Sequence, residues 1–260
     1  MGYDIKITGG DIIDGSGAPR YRGDLGIRDS RLVAIGDAPE DATTTLDAAG
    51  RIVAPGFVDI HTHYDAQIIW DPMLSVSPWH GVTTVVLGNC GFGVAPTRPE
   101  HRQIIMQTLE KVEGMSLEAM QAGLADWPFE TFPQYLDAIA KHGSAINVGV
   151  LVGHSPTRLY VMGADSMERE ATTTEVETMQ GIVREAIDAG ALGFSTSQAP
   201  SHVGFEGRPV PSRLAEVSEI RALARILGEA GGRTLQIIVG QTALYDEFVK
   251  LAQLCGGNLT

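Results

Sequence analysis

Cysteine is nearly missing from this sequence: two occur among 260 residues, Cys90 and Cys255, far apart and without a CxxC pair. That excludes a disulfide framework and a cysteine-rich zinc knuckle, and leaves each thiol as either a metal ligand or a plain buried group. Basic residues are scarce as well, 19 Lys plus Arg against 32 Asp plus Glu, for a formal charge of −13. With no basic stripe and no interleaved aromatics, nucleic acid is excluded as a partner. Neither the ~20-residue apolar run of a membrane span nor the charged-then-apolar start of a signal peptide is seen. The expectation is therefore a cytoplasmic protein with no membrane partner. Tandem repeats, low-complexity tracts and charged tails are absent too, so no flexible linker is expected. The length suits one large α/β domain, or a barrel with a small accessory domain.

What is present falls into two textures. Residues 1–53 read as short strands broken by turns, YDIKITGG, DIIDGSGAP, GDLGIRDSRLVAIGD and RIVAP, with Gly, Asp and Pro at spacings typical of a small antiparallel sheet or sandwich. From residue 54 to 260, apolar strand-like runs alternate with amphipathic helical patterns, the signature of βα units around a parallel sheet. The expected strands are IVAPGFVDI, VTTVVLGN, AINVGVLVG, ALGFST and LQIIVG. Thr174 and Glu177 have capping-box spacing ahead of a helix running to Ala189, with Gly190 as the stop. AEVSEIRALARILGEA and YDEFVKLAQL read as further helices, each closed by a Gly pair. Residues 98–142 exceed one crossover and hold two or three helical stretches around the aromatic patch DWPFETFPQY. That insert is either a helical excursion whose Trp127, Phe129 and Phe132 pack locally, or a lid over a pocket.

The chemistry concentrates in PGFVDIHTHYDA, Pro55 to Ala66. Alternate side chains of a strand share a face, so His61 and His63 project together while Thr62 points away. The apolar run before them delivers the pair to the C-terminal end of the strand, where parallel barrels build their sites, and two imidazoles there make half of a metal site. GNCGFG follows VTTVVL directly, which puts Cys90 at the same end of the sheet, with glycines that permit a tight turn. A phosphate cradle is a poor reading of those glycines, because no Lys-Ser/Thr follows. Asp65 suits either of two roles, orienting a ligating imidazole or capping a helical turn. His154 ends the third strand on the same rim with Arg158 nearby; it either contacts substrate or satisfies backbone groups. His202 lies in a loop on that rim, His80 reads as structural, and His101 and His142 sit in helices, His142 at a C-terminus where its charge suits the dipole.

On these residues the chain resembles the amidohydrolase superfamily, in which a β-sandwich segment precedes a metal-dependent (β/α)8 TIM barrel whose first strand ends in HxH. HGVTTVVLGNCGFGVAP is similar to the N-acyl-D-amino-acid deacylase (D-aminoacylase) branch, as are VGHSPTRLYVMG, GALGFSTS and EGRPVPSR. The resemblance implies one or two Zn²⁺ ions held by His61, His63 and Cys90; Asp65, His154 and Arg158 are candidates, from their positions, for supporting or substrate-binding roles. It also implies hydrolysis of an N-acyl-D-amino acid: the metal lowers the pKa of a water toward ~7, and an aspartate of the last barrel strand acts as general base and then acid.

Two departures from that family stand out. Its principal zinc site also takes histidines from the fifth and sixth barrel strands, and the fifth candidate here, TLQIIVGQT, has none. Eight βα units alone need about 250 residues, so the barrel is expected to be incomplete in this chain, with the catalytic aspartate beyond residue 260. The expected partners are a small N-acyl amino acid and either a homo-oligomer or a complementing C-terminal half. Two alternatives stay open. One is another amidohydrolase acting on a cyclic amide or dipeptide, disfavoured because Lys6, Lys111, Lys141 and Lys250 fall away from strand ends. The other is a noncatalytic half-barrel serving as a binding or assembly partner.

Overall fold

Asp29 and Ser30 are the two residues that turn the chain back on itself between two paired antiparallel strands, Tyr21–Arg28 and Arg31–Gly36, both with positive φ, 50° and 59°. That is the type I′ geometry whose twist matches paired strands, and Asp tolerates it. The computed structural model describes residues 2–238, 240 and 245–260, and they form two compact units, Met1–Phe57 and Val58–Thr260. In the first unit, β1 (Tyr3–Ile12), β2 (Tyr21–Arg28), β3 (Arg31–Gly36), β4 (Ala42–Asp47) and β5 (Ile52–Val53) share one sheet, ordered β3-β2-β1-β4 with β5 also on β1.

This sheet differs from the antiparallel expectation in two ways. YDIKITGG and the start of DIIDGSGAP are one strand: the Gly9-Gly10 pair makes a bulge, with Gly9 at φ 67° and its N–H given to Asp24 Oδ1 at 2.9 Å. An extra residue at a bulge kinks a strand without ending it. The sheet is also mixed, because β4 and β5 run parallel to β1 while β2 runs antiparallel to both of its neighbours. Among the described residues this unit has a single layer, and Leu32, Val33, Ile35 and Leu46 stay exposed in it.

The second unit is built on a parallel sheet ordered β10-β9-β8-β7-β6. Its strands are β6 (Phe57–Asp59), β7 (Val82–Leu87), β8 (Asn147–Gly153), β9 (Gly193–Ser197) and β10 (Thr234–Ile238). Helices α1 (Arg102–Glu113), α2 (Leu117–Gly123) and α3 (Phe132–His142) fill the long connection between β7 and β8. Then α4 (His154–Met162) and α5 (Thr173–Asp188) lead to β9, α6 (Val217–Glu229) to β10, and α7 (Tyr245–Cys255) follows. After α7, Asn258 to Thr260 exchange backbone hydrogen bonds with Leu235 and Ile237 along β10.

Helix α5 begins two residues earlier than the spacing suggested. The capping box is Thr172 with Glu175: Thr172 Oγ1 accepts from the Glu175 N–H at 3.3 Å, and Glu175 Oε2 accepts from the Thr172 N–H at 2.7 Å. Both Thr-x-x-Glu registers exist in the sequence. Arg169 decides between them, because its guanidinium takes both Glu175 oxygens, at 2.8 and 2.9 Å.

The insert packs rather than overhangs. Trp127, Phe129, Phe132 and Tyr135 are all buried, with ring centroids 4.9 to 6.1 Å apart from one pair to the next. No helix among the described residues is long and apolar enough to cross a membrane. Every residue of β9 is buried, and Phe194, its second residue, has 0% exposure. Phe194→Ala is expected to cost about 3–5 kcal/mol of stability, whereas Trp79→Ala, at 77% exposure, should change it by less than about 0.5 kcal/mol. Urea denaturation of both variants checks the contrast.

Candidate metal centre

Thr62 sets the direction of the two histidines. Its N–H and its hydroxyl both reach the Val86 carbonyl, at 3.1 and 2.8 Å, which carries the β6 edge one step further along β7. With Thr62 facing that way, His61 and His63 project on the other side. From β7 the chain enters a tight turn at Gly88, whose φ of 79° and distance of 2.0 Å from its would-be Cβ to the Leu151 oxygen admit no side chain. Cys90 follows in the left-handed region at φ 59°.

Three neighbours hold this Asn-Cys-Gly turn. Asn89 Nδ2 donates to the Thr62 and Val86 carbonyls at 3.2 and 2.9 Å. The Cys90 N–H donates to Gln236 Oε1 on β10 at 2.7 Å, and the Gly91 N–H donates to Ser195 Oγ on β9 at 3.0 Å. Ser195 in turn gives its hydroxyl proton to the Gly88 carbonyl.

The turn brings the thiol to both imidazoles. Cys90 Sγ lies 3.1 Å from His61 Nε2 and 3.7 Å from His63 Nε2, and the three donor atoms all lie within 4.8 Å of one another. Ligands at about 2.0–2.3 Å around a tetrahedral ion stand roughly 3.3–3.8 Å apart, so the trio has the span of three corners of such a shell. Burial, helped by the charges of His61 and His202, lowers His63 to about 4. A neutral imidazole with a free lone pair is what a metal requires. Burial, with Glu113 and Asp65 adding, pushes the Cys90 thiol up to about 12; a cation reverses that, since a coordinating thiol loses its proton.

Around the trio, Asp65 is 2% exposed, and burial raises its carboxyl to about 7 against the pull of backbone N–H groups. Neither expected role is made as a hydrogen bond: Asp65 Oδ1 and His63 Nδ1 are both buried without a partner, and the turn after Ala66 has no side-chain cap. Tyr135 of the insert donates to the Asp65 carbonyl at 2.9 Å. Glu113 at the end of α1 puts Oε2 3.5 Å from His63 Nε2. His202 packs its ring at a 48° tilt against Phe92, centroids 5.1 Å apart, and pairs Nδ1 with Ser197 Oγ at 2.7 Å.

His154 and Arg158 sit elsewhere, both at 0% exposure. His154 Nδ1 meets Thr196 Oγ1 at 2.8 Å and Nε2 meets Glu219 Oε1 at 2.7 Å, so neither ring nitrogen is left for a substrate. Arg158 donates from Nη1 to Glu219 Oε2 at 2.5 Å and from Nη2 to the Arg169 carbonyl at 2.9 Å. The rim position read from the sequence is real for the His154 backbone, but α4 starts at that residue and carries the side chain into a buried ion cluster with α6. Glu219 escaped notice because it reads as one more polar position of an amphipathic helix. Glu113 and Gln236 escaped it for similar reasons, as a helix-end acid and a strand amide. The fifth-strand loop, where a further ligand was sought, includes residues 239 and 241–244, which lie outside the described residues.

Known proteins resemble this chain in sequence and fold. The amidohydrolase family matches residues 44–256. The D-aminoacylase of Alcaligenes xylosoxydans xylosoxydans is 36% identical over 231 residues, which cover 88% of this chain and 43% of that protein. The zinc- and phosphonate-bound N-acyl-D-glutamate deacylase from Bordetella bronchiseptica superposes with a TM-score of 0.79 at 34% identity, covering 100% of this chain and 51% of that one. A D-aminoacylase structure concerned with its binuclear metal centre gives 0.77 at 29% identity, covering 99% and 50%. This chain thus spans about half the length of the relatives it matches.

The buried cluster gives an acid-stability expectation. Burial pushes Glu219 up, but the hydrogen bond and charge of His154 and the Arg158 guanidinium outweigh it, and the net shift is below the ordinary 4.5. A depressed carboxylate contributes stability that is present above its unfolded pKa and is lost as pH falls through the lower, folded value. Glu219→Gln should cost about 3–5 kcal/mol near neutrality and flatten the acid limb below pH 4.5. Urea midpoints measured from pH 7 to pH 3 check both.

Proposed function

Because the chain belongs to the amidohydrolase family, we propose that His61, His63 and Cys90 hold a zinc ion in the site of an amide hydrolase acting on N-acyl-D-amino acids. The observation that carries this reading is the convergence of two imidazole nitrogens and one sulfur within 4.8 Å, a soft and intermediate donor set suited to zinc. The names and bound zinc of the relatives support the metal and the substrate class.

When bound, zinc supplies Lewis-acid polarisation of an acyl carbonyl and a water made acidic toward pH ~7. The chain's own residues do the positioning. Thr62 fixes which way both imidazoles face, Gln236 and Ser195 hold the Cys90 turn, and the insert steadies the Asp65 carbonyl through Tyr135. The proton-shuttling aspartate belongs to a strand outside β6–β10.

The fold reading extends in the same way. Strands β6 to β10 are the first five of a (β/α)8 barrel, and residues 1–53 supply one layer of a sandwich, with its exposed Leu32, Val33 and Ile35 meeting a second layer. An open parallel sheet leaves an edge that calls for a partner. Exposed Val58 in β6 and Ile60 just after it support completion by a complementing half or a second copy.

Metal analysis after dialysis is expected to find close to one zinc per chain, as for a single three-ligand site. Cys90→Ala should weaken binding by more than ~100-fold, beyond the range of outer-contact changes. Failure of the metal-replete protein to retain zinc removes the hydrolase reading and leaves a binding or assembly role. Release of free amino acid from a panel of N-acetyl-D- and N-acetyl-L-amino acids, by the chain with its complementing half, separates a D-deacylase from other amidohydrolases.

A further inference from the structure

Resting on the deacylase reading above, we propose that His202 binds substrate, its Nε2–H donating to the α-carboxylate of an N-acyl amino acid whose acyl carbonyl lies at the zinc. The alternation of β9 points to it. Ser195 and Ser197 are two residues apart in one strand and so share a face of the sheet. Ser195 Oγ accepts from the Gly91 N–H of the cysteine turn at 3.0 Å, so that face is the one carrying the metal centre. Ser197 Oγ meets His202 Nδ1 at 2.7 Å. His202 is thereby tied to the same face, at the same C-terminal end of the strands. Phe92 joins it to the centre, its ring centroid 6.4 Å from that of His63 and 5.1 Å from that of His202.

The hydrogen bonds also choose the ring nitrogen that carries the proton. Ser197 Oγ accepts from the Ala199 N–H at 3.2 Å, and among the described residues His202 Nδ1 is the one acceptor for its hydroxyl proton. Giving that proton to Nδ1 leaves no donor idle and puts the ring proton on Nε2. Among the described residues Nε2 has no partner, and it is not among the fully buried polar atoms, so its N–H is open to a ligand. The backbone holds the ring in place: the His202 N–H donates to the Ala199 carbonyl at 3.0 Å, and its carbonyl accepts from Arg213 Nη1 at 3.2 Å. A donor fixed before binding loses little freedom when it binds.

Charge decides which part of the substrate meets this donor. Beside His63 stand two acids, Glu113 with Oε2 3.5 Å from Nε2, and the buried Asp65. A substrate carboxylate on that flank would face like charge, which is costly. Beside His202 the acting charge is that of Arg213, which together with burial lowers the imidazole below its ordinary 6.5, burial being the larger cause. An N-acyl amino acid has two strong acceptors, the acyl oxygen, which the zinc reading places at the metal, and the carboxylate. The carboxylate is therefore left for the β9 flank, where an N–H is free and a guanidinium stands behind it, and a hydrogen bond to an ionised acceptor is among the strong ones.

Nitrogen-15 NMR of the zinc-loaded chain, titrated with the panel of N-acetyl-D-amino acids and with their uncharged carboxamides, tests this. Nε2 of His202 should carry the proton in the free chain, and its signal should move when an acid binds. Acids should bind roughly 10–100-fold more tightly than their carboxamides, the span of a hydrogen bond to a charged group. His202→Ala and His202→Gln should erase that preference by weakening the acid alone, with zinc content and carboxamide affinity unchanged. Far-UV circular dichroism and melting establish that the variants fold, and the preference and the Nε2 shift of the unaltered chain are read without them. If zinc is not retained, or neither kind of ligand binds, the deacylase reading fails and takes this inference with it. A proton found on Nδ1, no preference in the unaltered chain, or a preference that survives in a folded, zinc-loaded variant overturns the proposal and leaves the deacylase reading standing.

Discussion

The hydrogen bond from the Cys90 N–H to Gln236 Oε1, at 2.7 Å, is the constraint on which the site depends. Cys90 occupies left-handed backbone space at φ 59°, a conformation that costs an L-residue roughly 1–2 kcal/mol. That bond, the neighbouring one from Gly91 to Ser195 Oγ, and the absence of a side chain at Gly88 together make the turn a single shape. Each hydrogen bond is worth about 0.5–1.5 kcal/mol net, so the pair offsets the strain. The sulfur consequently has a fixed position relative to strands β9 and β10, far away in sequence. Thr62 fixes the imidazoles relative to β7 in the same manner, and the three donors meet because two independent anchors point them at one place.

Burial then gives the site its electrical character. His63 is held neutral while Cys90 and Asp65 are both driven toward their protonated forms. This cluster has ligand geometry but little charge of its own, and a bound cation would restore the charge that burial suppresses. The His154–Glu219–Arg158 cluster is the counterpart. More deeply buried, it carries its compensating charges within the protein, and both ring nitrogens of His154 are taken. The two clusters differ in whether the chain itself supplies the partner, and that difference separates a site from a frame.

Much of this was legible in the residues alone. The Val-Asp-Ile-His-Thr-His alternation identifies two histidines on one face, because strand periodicity is a local property. The Gly-Asn-Cys-Gly turn after an apolar strand places the thiol at the same end of the sheet for the same kind of reason. The reading was weaker where two local patterns were equally good. Two Thr-x-x-Glu registers competed at the start of α5, and Arg169 chose between them. The Gly9-Gly10 pair looked like a turn and is a bulge, since β2 pairs β1 before and after it while β4 and then β5 flank the other side.

The sequence by itself determined the order of strands and helices of the second unit and the pairing of His61 with His63, which follow from patterns repeating every two or three to four residues, and its motifs carried the resemblance to the amidohydrolase family. Only the tertiary structure decided that Glu113 stands beside His63, that Gln236 and Ser195 hold the cysteine turn, and that His154 faces an internal carboxylate. Those contacts join residues 50 to 146 positions apart. No local periodicity encodes such a meeting; it arises when parallel strands stack side by side and bring their C-terminal ends to one rim.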